Sequence, residues 1–79
     1  MLFRGGRILR KVGNKLRYIR RIHDLTQEEL GNALGVTRHT IMALESRKYE
    51  PSIALALAIA DFFKVPVEEI FFFENEGRG

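Results

Sequence analysis

The 79-residue chain has no cysteine, two prolines and two histidines. Without cysteine, neither a disulfide nor a thiolate metal site can support the fold. The two histidines, His23 and His39, are too few and too scattered for a zinc site. No apolar run approaches the roughly 20 residues of a membrane span. The opening stretch MLFRGGRILRK is basic but lacks the apolar core of a secretory leader. A soluble, cytoplasmic protein is therefore expected. Nucleophile–base pairings, glycine-rich phosphate loops and metal-ligand clusters are also missing from the sequence. The acidic pairs Glu28-Glu29 and Glu68-Glu69 are adjacent, and adjacent residues do not face each other on a helix. No enzyme activity, cofactor or metal is expected, and there is no internal repeat or low-complexity tract.

A chain of this length makes one domain with a modest core. Its stability must come from helix packing, with dimerisation as a further source. The formal net charge is +3 and is unevenly spread. Residues 1–25 carry eight basic side chains (Arg4, Arg7, Arg10, Lys11, Lys15, Arg17, Arg20, Arg21) against the single acid Asp24. Residues 61–79 carry five acids against Lys64 and Arg78. A basic front end suits a phosphate backbone as partner, although charge alone fits a solvated face equally well.

The segment LTQEELGNALGVTRHTIMALE, Leu25 to Glu45, is the most informative. Thr26 is placed to cap a helix, with Glu29 three residues on to complete a capping box and Leu25 and Leu30 as its hydrophobic staple. Leu30 and Leu34 lie one turn apart on a shared face. Gly35 stands where a left-handed residue ends the helix. Thr37 caps a second helix, stapled by Val36 and Ile41, and Ile41 and Leu44 continue its buried face. Two such helices joined by a glycine-containing turn make a helix-turn-helix, the unit that sets its second helix in the DNA major groove.

The remaining elements follow from similar signals. Helix one is expected at Asn14–His23, with Leu16, Ile19 and Ile22 as its buried stripe. Helix two spans about Gln27–Leu34 and helix three about Arg38–Ser46. Ser52 caps helix four, about Ile53–Phe63, whose nearly uniform apolar sequence predicts burial on several sides. Pro66 opens a short fifth helix, about Val67–Phe71, with Glu68 and Glu69 near its positive end. Residues 1–12 read as a flexible basic arm able to enter a minor groove, or as an extension ahead of the native start. Residues 13–74 form the domain and 75–79 a tail.

From about Asn14 to Phe71 the pieces KLRYIRR, LTQEELGNALGVTRHTIMALE, SRKYEPS, LALAIADFFKV and VEEIF resemble, in order and spacing, the Cro/phage-repressor helix-turn-helix family. The resemblance implies an all-α, compact five-helix, lambda-repressor-like DNA-binding domain, with room for a short terminal β-ribbon. It implies a small stand-alone transcriptional regulator, a repressor that binds a palindromic operator as a homodimer through the helix at 38–46. Base contacts then fall to Thr37, Arg38, His39, Met42 and Ala43. Arg38 can pair bidentately with guanine, whereas Met42 and Ala43 offer only apolar contact. Readout therefore leans in part on DNA shape. Phosphate contacts fall to Gln27, Thr40, Arg47, Lys48 and Arg17, with Arg21 solvated or phosphate-facing. Arg20 and Glu45 form an ion pair between helices one and three.

Two departures from the family pattern stand out. Ser46-Arg47 replaces the common Asn-Gly, so the turn is made without glycine. Gly31 replaces a common alanine, at a cost of about 1 kcal/mol within a helix. The run Ile70, Phe71, Phe72, Phe73 can either form the dimer interface, with a strand near Val12–Lys15 pairing to it, or close the monomer's own core. The competing function is an antitoxin-like or other partner-binding module on the same fold, using that run or helix four to hold another protein.

Overall fold

The computed structural model describes residues 10–74. Most of the expected basic arm and the whole tail 75–79 lie outside these residues. The order of elements is β1 (Val12–Asn14), α1 (Leu16–Ile22), α2 (Gln27–Leu34), α3 (Arg38–Glu45), α4 (Ile53–Phe63), a 3₁₀ turn (Val67–Glu69) and β2 (Phe71–Phe73).

Local capping starts three of the helices. The Thr26 hydroxyl accepts from the Glu29 amide at 3.0 Å, and the Glu29 carboxylate accepts from the Thr26 amide at 2.9 Å. The capping box is therefore complete. Thr37 accepts from the Thr40 amide and Ser52 from the Leu55 amide, each at 3.1 Å. Gly35 ends α2 in the left-handed region at φ 78°, a conformation glycine adopts without steric cost. At Gly31 the need for glycine is packing. A Cβ there would stand 2.8 Å from the Val36 carbonyl oxygen, so the turn after α2 sits closer than an alanine permits without moving it.

Leu16, Leu30, Ile41, Leu44, Ile59, Ala60, Phe63 and Ile70 make one buried cluster fed by every helix. Ile19, Leu25, Leu34, Val36, Leu55, Val65, Val67 and Phe71 close around it. β1 and β2 pair antiparallel, with Val12 opposite Phe73, Gly13 opposite Phe72 and Asn14 opposite Phe71. The Lys15 amide donates to the Ile70 carbonyl at 2.9 Å, and the Glu74 amide to the Lys11 carbonyl at 2.8 Å, which extends the ladder at both ends.

The structure corrects four expectations. Among the described residues there are four α-helices, not five: the expected fifth is a single 3₁₀ turn, because the chain beyond it is drawn into the ladder with β1. Ile22 is 60% exposed. On a helix of 3.6 residues per turn it points away from Leu16, and Arg20 holds the buried position instead. α1 begins at Leu16, since Asn14 belongs to β1 and its side-chain oxygen accepts from the Leu16 amide at 3.0 Å. α4 is buried on one face only, through Ile59, Ala60 and Phe63. Its other face leaves Ile53 79% and Leu57 55% exposed.

Candidate nucleic-acid interface

The first turn of α3 presents its side chains outward. Thr37, Arg38 and His39 are exposed, Thr40 and Ala43 are half-buried, and Met42 is partly exposed. The periodicity of α3 explains this division: Ile41, Leu44 and Glu45 take the inward face, and Arg38, His39 and Met42 take what remains. The Thr37 hydroxyl is already committed as the cap and lies 3.1 Å from the Thr40 hydroxyl. Arg38 and His39 are thus the exposed polar side chains here with no fixed partner among the described residues.

Behind this turn lies a polar hollow of about 520 Å³, lined by Arg17, Arg20, Arg21, Thr26, Gln27, Glu28 and Arg38. It brings side chains of α1, the first turn of α2 and the first turn of α3 to one place. The amide groups that open α2 supply a positive end for an anion. Arg21 lines the hollow together with Arg17. Its spacing of four from Arg17 places the two on one helix side.

The hollow is held by Glu45, whose side chain is fully buried. Arg20 donates to it through Nε at 2.5 Å and Nη2 at 3.0 Å. Gln27 donates through Nε2 at 3.1 Å, and Arg17 through Nε at 3.4 Å. Arg20 also donates through Nη1 to the Leu25 carbonyl at 2.8 Å. One carboxylate therefore ties α1, α2 and α3 together, and the expected Arg20–Glu45 pair is in place. Gln27, which the resemblance sets as a brace for the start of α3, bonds instead to Glu45 at the end of α3, and its amide lines the hollow. Asn14 was also missed as a brace: its side-chain nitrogen donates to the Leu44 carbonyl at 2.9 Å.

Arg47 makes the glycine-free turn at φ 64°, in the left-handed region that costs an L-residue roughly 1 kcal/mol. Its guanidinium turns toward the ribbon and donates to Glu74 at 2.6 Å. Only its Nη1 is engaged there, and the side chain stays partly exposed. Lys48 is exposed beside it. Of the expected interface run, Ile70 is fully buried and closes the chain's own core, and Phe71 is half-buried. Phe72 and Phe73 are exposed, with the Arg10 guanidinium 4.7 Å from the Phe73 ring centre.

Burial pushes the Glu45 carboxyl toward higher pKa. The hydrogen bonds from Arg20, Gln27 and Arg17, with the Arg20 charge, outweigh it and hold the group below the ordinary glutamate value. The ionised carboxylate therefore stabilises the fold fully above the unfolded glutamate pKa of about 4.3. That contribution is lost as pH falls through the lower folded value. Melting temperature should fall in acid, and Glu45→Gln, although less stable at neutral pH, should show a flatter acid limb. Parallel acid limbs in the two proteins would remove Glu45 as the cause.

A family model described as helix-turn-helix matches residues 16–70. The chain is 54% identical over 63 residues to an uncharacterised HTH-type transcriptional regulator of Methanocaldococcus jannaschii, covering 80% of this chain and 96% of that one. It is 41% identical over 63 residues to the uncharacterised HTH-type transcriptional regulator YgzD of Bacillus subtilis, with the same coverage. It is 35% identical over 57 residues to the cryptic phage CTXphi transcriptional repressor RstR of Vibrio cholerae, covering 72% of this chain and 51% of that one. In fold it resembles the crystal structure of a Bacteroides fragilis protein, with a TM-score of 0.70 at 20% identity over 77% of this chain and 98% of that one. Among the described residues no helix is long and apolar enough to cross a membrane.

Proposed function

Because the chain belongs to the helix-turn-helix family of DNA-binding transcriptional regulators, we propose that it is a sequence-reading repressor, binding a palindromic operator as a homodimer and acting in the cytoplasm without cofactor or catalysis. The observation that carries this reading is the meeting of Arg17, Arg21 and Arg38 around the start of α2, beside the outward first turn of α3. A phosphate seated in that hollow meets the α2 amides, the free hydrogen of the Gln27 amide and the guanidinium groups. It fixes α3 in the major groove, where phosphate contacts position and base contacts specify.

Arg38 then reads a base edge and His39 a neighbouring one, while Met42 and Ala43 meet apolar groups such as a thymine methyl. Thr37 completes the base-facing turn. Thr40, Arg47 and Lys48 flank the DNA backbone. Two copies present two such turns to successive major grooves roughly 34 Å apart. Repression requires only occupancy of the promoter, and a transcriptional repressor among the relatives supports that sign of regulation.

Selection of bound sites from a random duplex library at two salt concentrations tests the proposal. The expected product is a palindrome whose half-sites lie about one helical turn apart. Binding that is sequence-blind and lost as salt rises is the phosphate term alone, and would overturn the reading.

A further inference from the structure

The ribbon grips the exit of α3 at three points. The Asn14 side-chain nitrogen donates to the Leu44 carbonyl at 2.9 Å, the Val12 amide donates to Glu50 at 3.0 Å, and Arg47 donates to Glu74 at 2.6 Å. The turn gripped in this way is continuous with α3. The Arg47 amide donates to the Leu44 carbonyl at 3.0 Å, and the Lys48 amide to the Ala43 carbonyl at 3.1 Å. Gly13 lies buried at the centre of β1, where the backbone adopts no positive φ. Its lack of a side chain is a matter of space. A Cβ there would stand 3.2 Å from Arg47 Cζ and 3.0 Å from both Phe72 Cε1 and Glu74 Cγ. The Arg47 guanidinium therefore rests on the bare backbone of β1, with Glu74 holding one of its nitrogens.

We propose that Gly13 is a positioning residue for DNA binding: its missing side chain forms the seat that holds Arg47 at the rim of a second basic hollow, where the duplex backbone continues past α3. This hollow measures about 660 Å³, and Lys15, Arg17, Tyr18, Arg21, Glu45 and Arg47 are among the residues that line it. Four of those six side chains are cationic. The one acid is already engaged by Arg20, Gln27 and Arg17. A surface with such a surplus of positive charge suits a phosphate backbone. Arg17 and Arg21 also line the hollow behind the first turn of α3. The two hollows thus make one basic surface, from Arg38 at the start of α3 to Arg47 at its exit.

Length separates the two ends of that surface. α3 has eight residues and is about 12 Å long. Phosphates on one strand follow one another at about 3.4 Å along the duplex axis, so the two ends meet different phosphates. An anchor at each end fixes the tilt of α3 in the groove, which one anchor leaves free. A loose arginine would lose much rotamer freedom in making the second contact. The seat removes most of that loss beforehand. Only Nη1 faces Glu74, and the Arg47 side chain stays 42% exposed, so further N–H donors remain for a phosphate. Such a role for Gly13 rests on the operator reading and adds to it a residue outside the helix-turn-helix.

Duplex affinity across a salt series tests it, with the wild type, Gly13→Ala, Arg47→Ala and the double variant. Arg47→Ala should weaken binding to every sequence alike and lower the salt slope by about one. Gly13→Ala changes no charge. It should weaken binding about three- to tenfold, the scale of ordering one long side chain, with base preference and helical circular dichroism unchanged. Added to Arg47→Ala it should have no further effect, because the side chain it acts through is gone. A Gly13→Ala protein that binds as the wild type does, or that loses as much when Arg47 is absent, overturns the proposal. A second measurement needs neither a variant nor DNA. In ¹⁵N spectra of the free wild type, the Arg47 Nε–H should give a signal distinct from the collapsed signal of freely rotating arginines. An Arg47 signal merged with those arginines removes the seat, even where Gly13→Ala fails to fold. A wild type with no affinity for any duplex would sink the operator reading and not the seat, which the Arg47 signal decides alone.

Discussion

Arg20→Ala should cost about 3–5 kcal/mol of folding stability, the usual penalty for removing one partner of a buried ion pair. In a domain of this size that corresponds to a fall in Tm on the order of 20 °C. The size of the effect follows from what the alanine leaves behind. The Glu45 side chain is fully buried, and without Arg20 it loses two of its hydrogen bonds and the charge facing it. The Leu25 carbonyl loses its donor in the same step, which loosens the turn between α1 and α2. Gln27 and the distant Nε of Arg17 cannot neutralise the carboxylate, since one is neutral and the other more than half exposed. Arg20→Met combined with Glu45→Leu removes the orphaned charge and should recover much of the lost stability. Thermal melts of the single and double variants check both statements. A single variant that keeps its Tm would show that the pair is not a structural brace. Sequence preference, measured on the folded fraction, should not change, because neither side chain is exposed.

Helix starts were legible in the sequence because capping is local. Thr26 with Glu29, Thr37 with Thr40 and Ser52 with Leu55 act within three residues, and each cap formed as read. α1 was harder. Its stripe was assigned from apolar residues alone, which chose Ile22. The inward position belongs to an arginine whose partner lies 25 residues away, and only resemblance to a family pointed to that pair. The fate of Ile70–Phe73 was likewise non-local. Three phenylalanines suit a helix or a strand, and pairing with Val12–Asn14 decides it. That pairing in turn brings Glu74 to Arg47, a contact that no spacing along the chain signals. The exposed face of α4 was hidden by its composition. A uniformly apolar helix has no polar side to reveal which half meets solvent. For the candidate interface, the outward turn of α3 was readable from its period. The hollow beside it required the folded arrangement of three helices.

Arg38→Ala should relax one base position in each half-site, reducing discrimination there by about 1–3 kcal/mol, or roughly 5- to 150-fold. Arg38 is the long cation at the outward start of α3, so it can reach a guanine edge. It also borders the hollow with Arg17 and Arg21, so a phosphate competes for it. The two roles give different readouts. A base contact shows as lost preference at one position with the rest of the site intact. A phosphate contact weakens every sequence alike and lowers the salt slope by about one. Arg21→Ala, another residue of the same hollow, provides the comparison and should follow the phosphate pattern. Site selection and salt titration of both variants therefore separate the side chain that reads from the one that holds. If Arg38→Ala kept the wild-type site and behaved as Arg21→Ala does, direct readout would rest on His39 and the apolar contacts of Met42 and Ala43. The specificity of so few contacts would then have to come from the deformability of the operator itself.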